Sequence, residues 1–251
     1  MHSVDELFAV VVGQQDDDSR WVAIQQLHAL GTREVFERAV TLCRSRASSE
    51  RVGGADILGQ LNAFSNEAMK ILLSMLDDGE APVVEAVVHA LAQRQDARTI
   101  EALARVALHE QSNVRWAVAT ALEDLIADER AERVMLTLMK DADTSVRDRA
   151  TFAVGSLSDH DTPRIRAALV ERLRDDDRCV AHEAALGLAR RRDARAIPYI
   201  AIAVESSDGD IEEAADEITS PDMLTELLKA RDALGEALGL KSLIDRCRAR
   251  L

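Results

Sequence analysis

Val83-Val84-Glu85-Ala86-Val87-Val88-His89-Ala90-Leu91 runs on into Asp96-Ala97-Arg98-Thr99-Ile100, and further along Val180-Ala181-His182-Glu183-Ala184-Ala185-Leu186-Gly187-Leu188 runs on into Asp193-Ala194-Arg195-Ala196-Ile197. Both stretches pass from a Val through a helix-patterned segment into an Asp-Ala-Arg-x-Ile turn. Anchored on that Val-like position, the unit recurs at Ser19, Glu50, Val83, Val114, Val146 and Val180, with spacings of 31, 33, 31, 32 and 34 residues. Repetition at this period is the mark of a solenoid, because a unit this short cannot bury its apolar face alone and must stack on its neighbours. The expected fold is an all-α solenoid of about seven short helical-hairpin repeats with capping helices at its ends.

One unit shows how the hairpin forms. Val114, Val118, Leu122 and Leu125 fall at i, i+4, i+8 and i+11 on one helix face, while Arg115, Glu123 and Asp124 occupy the other. The same buried face reads Val83, Val87, Leu91 in the third unit and Val146, Ala150, Val154, Leu157 in the fifth. This is helix A. Ahead of it stand capping residues such as Ser48-Ser49, Ser112-Asn113, Asp143-Thr144-Ser145 and Asp176-Asp177, whose side chains can accept from the free N–H groups of the first turn. Helix B follows, as in Ile100 to Leu108 or Ile197 to Val204. The repeats are placed near 16–46, 47–79, 80–110, 111–142, 143–176, 177–208 and 209–230, with a closing helix over 231–250, in one repeat domain spanning 1–251. Residues 4–12 are expected to cap the other end.

Composition fits thin, closely packed helices: 47% of the 251 residues are hydrophobic and only 3% aromatic. Cys43, Cys179 and Cys247 are far apart and odd in number, so neither a disulfide framework nor a Cys-x-x-Cys metal site is expected, and a reducing cytoplasm is the natural compartment. No signal-peptide pattern and no membrane-length apolar run is read. The net charge of −14 repels phosphate and disfavours general nucleic-acid or anionic-membrane binding, while it would steer in a basic partner.

The string Val180 to Leu188, followed by Asp193-Ala194-Arg195-Ala196-Ile197-Pro198, resembles a HEAT repeat of the short, phycobilisome-lyase type. Arg51, Arg115 and Arg147 stand where that family carries its Val-Arg arginine, and Gly59 and Gly155 match its Ala-Leu-Gly glycine. From Asp5-Glu6-Leu7-Phe8 through Ile57-Leu58-Gly59-Gln60 and Phe152-Ala153-Val154 to Asp210-Ile211-Glu212-Glu213, the whole chain is similar to bacterial YibA-type HEAT proteins. Members of that group are encoded beside Rhs polymorphic-toxin elements and are regarded as immunity proteins. The resemblance therefore implies a protein that masks a toxin domain, and it brings no catalytic motif.

Several groups of residues invite a functional reading. Asp16 to Asp18, Asp77-Asp78, Asp141 with Asp143, Asp175 to Asp177 and Asp208 with Asp210 all fall between repeats, where stacking would align them as an acidic ridge. Helix capping accounts for the same residues. Ala196 to Leu228 holds no Lys, Arg or His. Within it, Tyr199 and Ile202 fall outside the core pattern of helix B, close in sequence to Glu205, Asp208, Asp210, Glu212 and Glu213. These seven residues are the expected protein-binding site, an apolar centre with an acidic rim. The competing reading packs Tyr199 and Ile202 beneath a neighbouring helix.

Other signals are weaker. Arg164, Arg166, Arg172, Arg174, Arg178, Arg190, Arg191, Arg192 and Arg195 keep a nucleic-acid-binding, glycosylase-like alternative open. A cationic groove with aromatic residues would be needed, and Trp21 and Trp116, in matching slots of helix A, read as packing residues instead. His182-Glu183 resembles one metal-binding pair of a HEAT-type hydroxylase, but the matching slots hold Glu85, Trp116 and Arg149, so no metal is expected. Gly54 to Gly59 has phosphate-loop spacing without the Lys and Ser/Thr that such a loop needs. The expectation is a non-enzymatic, cytoplasmic protein-binding solenoid without cofactor, whose partner is a protein with a basic surface such as a toxin domain. A general scaffold and a glycosylase-like or lyase-like protein are the alternatives.

Overall fold

A computed structural model describes residues 2–13, 17–204, 209–235 and 238–251. Among these residues there are sixteen α-helices and no β-strand. They are α1 (Val4–Val12), α2 (Asp17–Leu30), α3 (Arg33–Cys43), α4 (Ser48–Gly59), α5 (Ser65–Met75), α6 (Ala81–Ala92), α7 (Ile100–Val106), α8 (Ser112–Leu122), α9 (Glu129–Leu138), α10 (Thr144–Phe152), α11 (Pro163–Arg172), α12 (Arg178–Arg190), α13 (Ile197–Ala203), α14 (Gly209–Ile218), α15 (Leu224–Leu234) and α16 (Leu238–Ala249). The chain divides into two compact units, Met1–Val134 and Met135–Leu251. The architecture is the all-α solenoid that the period predicts.

In the first unit α4, α6 and α8 are consecutive A helices stacked on one another, and the B helices α3, α5 and α7 each pack against the A helix that follows. In the second unit α10, α12 and α14 form the A row, α11 packs on α12, and α16 lies against α13 and α15. The stripe behind this stacking is buried as expected at Val83, Val87 and Leu91 and at Val114, Val118 and Leu122, though Leu125 is only half-buried; Val180, Ala184 and Leu188 are shielded from water in the same way. A-helix backbones come unusually close. A Cβ on Gly187 would lie 2.5 Å from Gly155 Cα, so only hydrogen fits at that crossing, and one on Gly59 would lie 3.0 Å from Ala90 Cα, a tight approach.

Leu157 departs from the stripe. The pattern buries it with Val146, Ala150 and Val154, yet it is 51% exposed. The cause is a π-helical turn, Ala153–Leu157, that ends α10. The wider turn rotates every later side chain out of the 3.6-residue register.

Short helices leave many end groups unpaired, and each must find a partner where repeats meet. Arg51 Nε and Nη2 donate to Asp78 at 2.7 and 2.8 Å, while Nη1 donates to the carbonyls of Ser45 and Arg46. The same arrangement is copied at Arg147, which donates to Asp175 at 3.0 and 3.1 Å and to the carbonyls of Asp141 and Ala142. These inter-repeat aspartates are therefore committed internally: Asp78 and Asp175 hold arginines, while Asp143 and Asp177 cap α10 and α12. At Asp78 and Asp175 burial is the largest influence and pushes the carboxyl up, but the hydrogen bonds from Arg51 and Arg147, the backbone N–H groups of Glu80 and Asp177 and the arginine charges together outweigh it, and the net shift is downward. Ser48 and Ser112 do not cap as expected, since α4 and α8 already include them.

The Asp-Ala-Arg turns form a second lock. Asp96 accepts from both the backbone and the side chain of Arg98, and Asp193 does the same for Arg195. The residues just before them, Gln95 and Arg192, take left-handed backbone with φ of 45° and 50°. Arg94 reaches back to the Leu58 carbonyl at 2.5 Å. Its counterpart Arg191 is buried and donates to five carbonyls, those of Val154, Gly155, Ser158, His160 and Gly187. Arg191 thus ties down the π turn.

Two outcomes are expected. Gly187→Ala must push the α10 and α12 backbones apart, which overpacks the crossing at a cost of about 1–3 kcal/mol and lowers the thermal midpoint by several degrees in calorimetry. Acid should also weaken the arginine–aspartate locks. Asp78, Asp96, Asp128, Asp161, Asp175 and Asp193 all titrate below their ordinary range, Asp128 at about 2 because Arg130 donates to it. Depressed folded values mean that their stabilisation is complete above the unfolded carboxylate value of about 3.9 and fades as pH falls toward about 2. Asp56, Asp148 and Glu183, pushed up mainly by burial, act in the opposite sense. The stability difference between Arg147→Met and the parent, read from thermal midpoints, should be largest at neutral pH and shrink by about pH 3.

Candidate protein-binding groove

In the second unit the end of α10 and its π turn, the middle of α12 and the start of α14 enclose a cavity of about 220 Å³. Phe152, Ser156 and Leu157 supply one wall, Glu183, Leu186 and Arg190 the second, and Asp210, Glu213 and Ala214 the third. Glu183, Leu186 and Arg190 sit at i, i+3 and i+7 of α12, which places them on one face. On α14 the buried Ile211, Ala214, Ala215 and Ile218 hold the helix to the core, so Asp210 and Glu213 are left exposed.

Glu183 is the electrostatic centre of the groove. It is half-buried and accepts a hydrogen bond from Ser156 Oγ at 2.7 Å. Burial pushes its carboxyl up, the Ser156 hydroxyl and His182 pull it back, and Asp148 and Asp210 push it up further. Across the cavity Arg190 faces Glu213 at 3.7 Å and donates to the Ser156 carbonyl. Arg149 lies 5.6 Å over the Phe152 ring.

The seven residues expected to form the binding site are distributed differently. Asp210 and Glu213 line the groove. Glu212, expected in the same rim, instead accepts from Arg246 of α16 at 2.6 and 3.2 Å, because its position on α14 faces the closing helix. Ile202 on α13 is 81% exposed. Tyr199 is half-buried, with its ring 6.3 Å from that of His182 in an edge-on arrangement, and burial raises its phenol. Neither Tyr199 nor Ile202 lines the groove. Glu205 and Asp208 lie outside the described residues.

Sequence reasoning does not bring Phe152, Ser156, Leu157, Leu186 and Arg190 together as a set, and it singles out Glu183 only as half of a metal pair. The signal that points to them is the exposed face of helix A between its buried positions. No group of three or more His, Cys, Asp or Glu placed to hold a metal ion occurs among the described residues. Trp21, which reads as a packing residue in the sequence, is 45% exposed, and Trp116 is half-buried with its ring 6.5 Å from that of His89. The arginine-rich interval is largely taken up within the fold. Arg166 holds Asp161 and Asp193, Arg172 holds Asp175, Arg191 binds carbonyls and Arg195 holds Asp193.

Stacked helical hairpins joined by arginine–aspartate locks define a helical-repeat solenoid. The family model for HEAT repeats matches residues 69–155 and 131–219, and the chain belongs to that family. Protein YibA of Escherichia coli strain K12 is 29% identical over 235 residues, which make up 88% of this chain and 82% of that protein. An X-ray structure of the E. coli YibA protein matches with a TM-score of 0.78 at 26% identity, covering 98% of this chain and 93% of that one. A designed armadillo repeat protein, solved in complex with a (KR)4 peptide, is similar in fold at 13% identity, with a TM-score of 0.51 over 74% of this chain and 98% of its own. No helix among the described residues is long and apolar enough to cross a membrane.

Glu183 carries a testable cost. A half-buried carboxylate that burial drives toward protonation is a liability in the free protein, so Glu183→Gln should raise the thermal midpoint at about pH 7 by a degree or more. A lowered midpoint in calorimetry would instead make Glu183 a structural acceptor for Ser156.

Proposed function

We propose that this chain is a protein-binding solenoid of immunity type, which covers a basic surface of a toxin domain stoichiometrically and without catalysis of its own. The observation that carries the reading is the groove: apolar walls from Phe152, Leu157 and Leu186 around Glu183, with Asp210 and Glu213 at its edge. A partly desolvated carboxylate gains most when a partner brings the opposite charge. The net charge of −14 adds a field that speeds the approach of a basic protein. The likeness to YibA supports the toxin-masking part of the reading through what that group is regarded as doing. A basic peptide is also what the designed armadillo protein holds; that likeness is one of fold, and it is the charge of this groove that favours a basic partner.

In this reading Asp210 and Glu213 meet the partner directly, and Ile202 supplies a separate apolar contact with Tyr199 beside it. Glu212 serves by holding Arg246, and so α16, in place. Glu205 and Asp208 add charge. The setting is the cytoplasm, where Cys43, Cys179 and Cys247 stay reduced, as their free state allows.

The test is co-expression with the toxin domain of an Rhs-type element encoded beside the gene. The parent chain should restore growth and co-purify with that domain in a one-to-one complex. Asp210→Lys with Glu213→Lys should keep the helical circular dichroism spectrum yet lose both. Failure of the well-expressed parent chain to restore growth would sink the immunity role. A stable complex without growth rescue would favour the scaffold reading.

A further inference from the structure

We infer that the groove receives one arginine side chain of the partner, with its stem between Phe152 and Leu186 and its guanidinium on Glu183. The inference rests on the protein-binding reading above and specifies what that partner must present. Small-molecule sites run from about 300 to 1,000 Å³, whereas this cavity is about 220 Å³. It suits a single side chain better than a cofactor.

Lining chemistry narrows the choice. Leu157 and Leu186, with the Phe152 ring, give apolar contact along the walls, and Glu183 supplies a half-buried carboxylate among them. A long apolar stem with a cationic tip matches this order, which leaves lysine and arginine. Arg190 does not fill the role, because it is turned to Glu213 and to the Ser156 carbonyl. Glu183 accepts from the Ser156 hydroxyl and forms no ion pair with any described residue.

Arginine is favoured over lysine on geometry. Its planar fork can place two N–H donors on the Glu183 carboxylate, whereas an ammonium is a point charge with a tighter hold on water. The receiving wall is also held in advance. Arg191 ties the carbonyls of Val154, Gly155, Ser158 and His160, and the Gly155–Gly187 crossing fixes α10 on α12. A wall that needs no ordering on binding loses less affinity to entropy.

The probe is a fluorescein-labelled octapeptide of alternating lysine and arginine, compared with an all-lysine octapeptide and with one carrying citrulline for each arginine. Fluorescence anisotropy near physiological salt is the readout. The alternating peptide should bind, and the citrulline peptide should lose at least about tenfold because it keeps shape but not charge. The all-lysine peptide should fall between them. Glu183→Gln should weaken the alternating peptide about tenfold or more without lowering the thermal midpoint. Equal binding of the all-lysine and alternating peptides, or an unchanged affinity in Glu183→Gln, would overturn the arginine pocket. If the toxin complex forms and Glu183→Gln leaves it intact, the pocket inference fails while the protein-binding reading stands. If no complex forms with the parent chain, the broader reading fails instead.

Discussion

Satisfying the ends of short helices at the joints between repeats is the constraint on which the fold depends. Each of these short helices leaves about four amide and about four carbonyl groups without a partner inside the helix, and stacking pushes those groups away from water. Arginine answers the carbonyls and aspartate answers the amides. Arg51 and Arg147 each serve two carbonyls and an aspartate, while Asp143 and Asp177 cap the helices that follow them. Charges in such joints are weakly stabilising as isolated pairs, yet removing one partner would strand several buried polar groups together. This is why so acidic a chain can hold many of its arginines for internal use.

The groove follows from the same constraint. Gly155 and Gly187 bring α10 and α12 into backbone contact, and close contact leaves the end of α10 with carbonyls that cannot be hydrated. Arg191 collects them, and the turn relaxes to the wider π form. That widening turns Leu157 outward and aims Ser156 at Glu183. A structural repair at one joint therefore builds the wall of a binding surface.

How legible these features are in the sequence depends on distance. The A-helix stripe, the Asp-Ala-Arg turn and the seventh repeat's buried Ile211, Ala214, Ala215 and Ile218 can all be read locally, because burial repeats at helical spacing. Two things cannot. The π turn over Ala153–Leu157 contains Gly155-Ser156, which weakens a helix, but the carbonyls it frees are taken up by Arg191 one repeat away. Glu212 reads as a member of a free acidic rim, but its partner Arg246 lies 34 residues further on. Arg51 with Asp78 and Arg147 with Asp175 are separated by 27 and 28 residues. Pairs of opposite charge near one repeat length apart are thus the signal that divides committed carboxylates from available ones.

That division gives the acidic surface a different meaning from the one its composition suggests. Asp78, Asp175 and Asp193 have their titration lowered by arginines already in place, so they offer little to a visitor. Glu183 and Asp148 are shifted the other way, chiefly by burial, so an arriving cation relieves them most. Attraction at long range comes from all the charges together, but affinity at contact comes from those few whose burial the fold does not fully offset. A solenoid of this kind can therefore be strongly acidic and still selective, since its joints absorb much of its charge and the exposed face of helix A presents what remains.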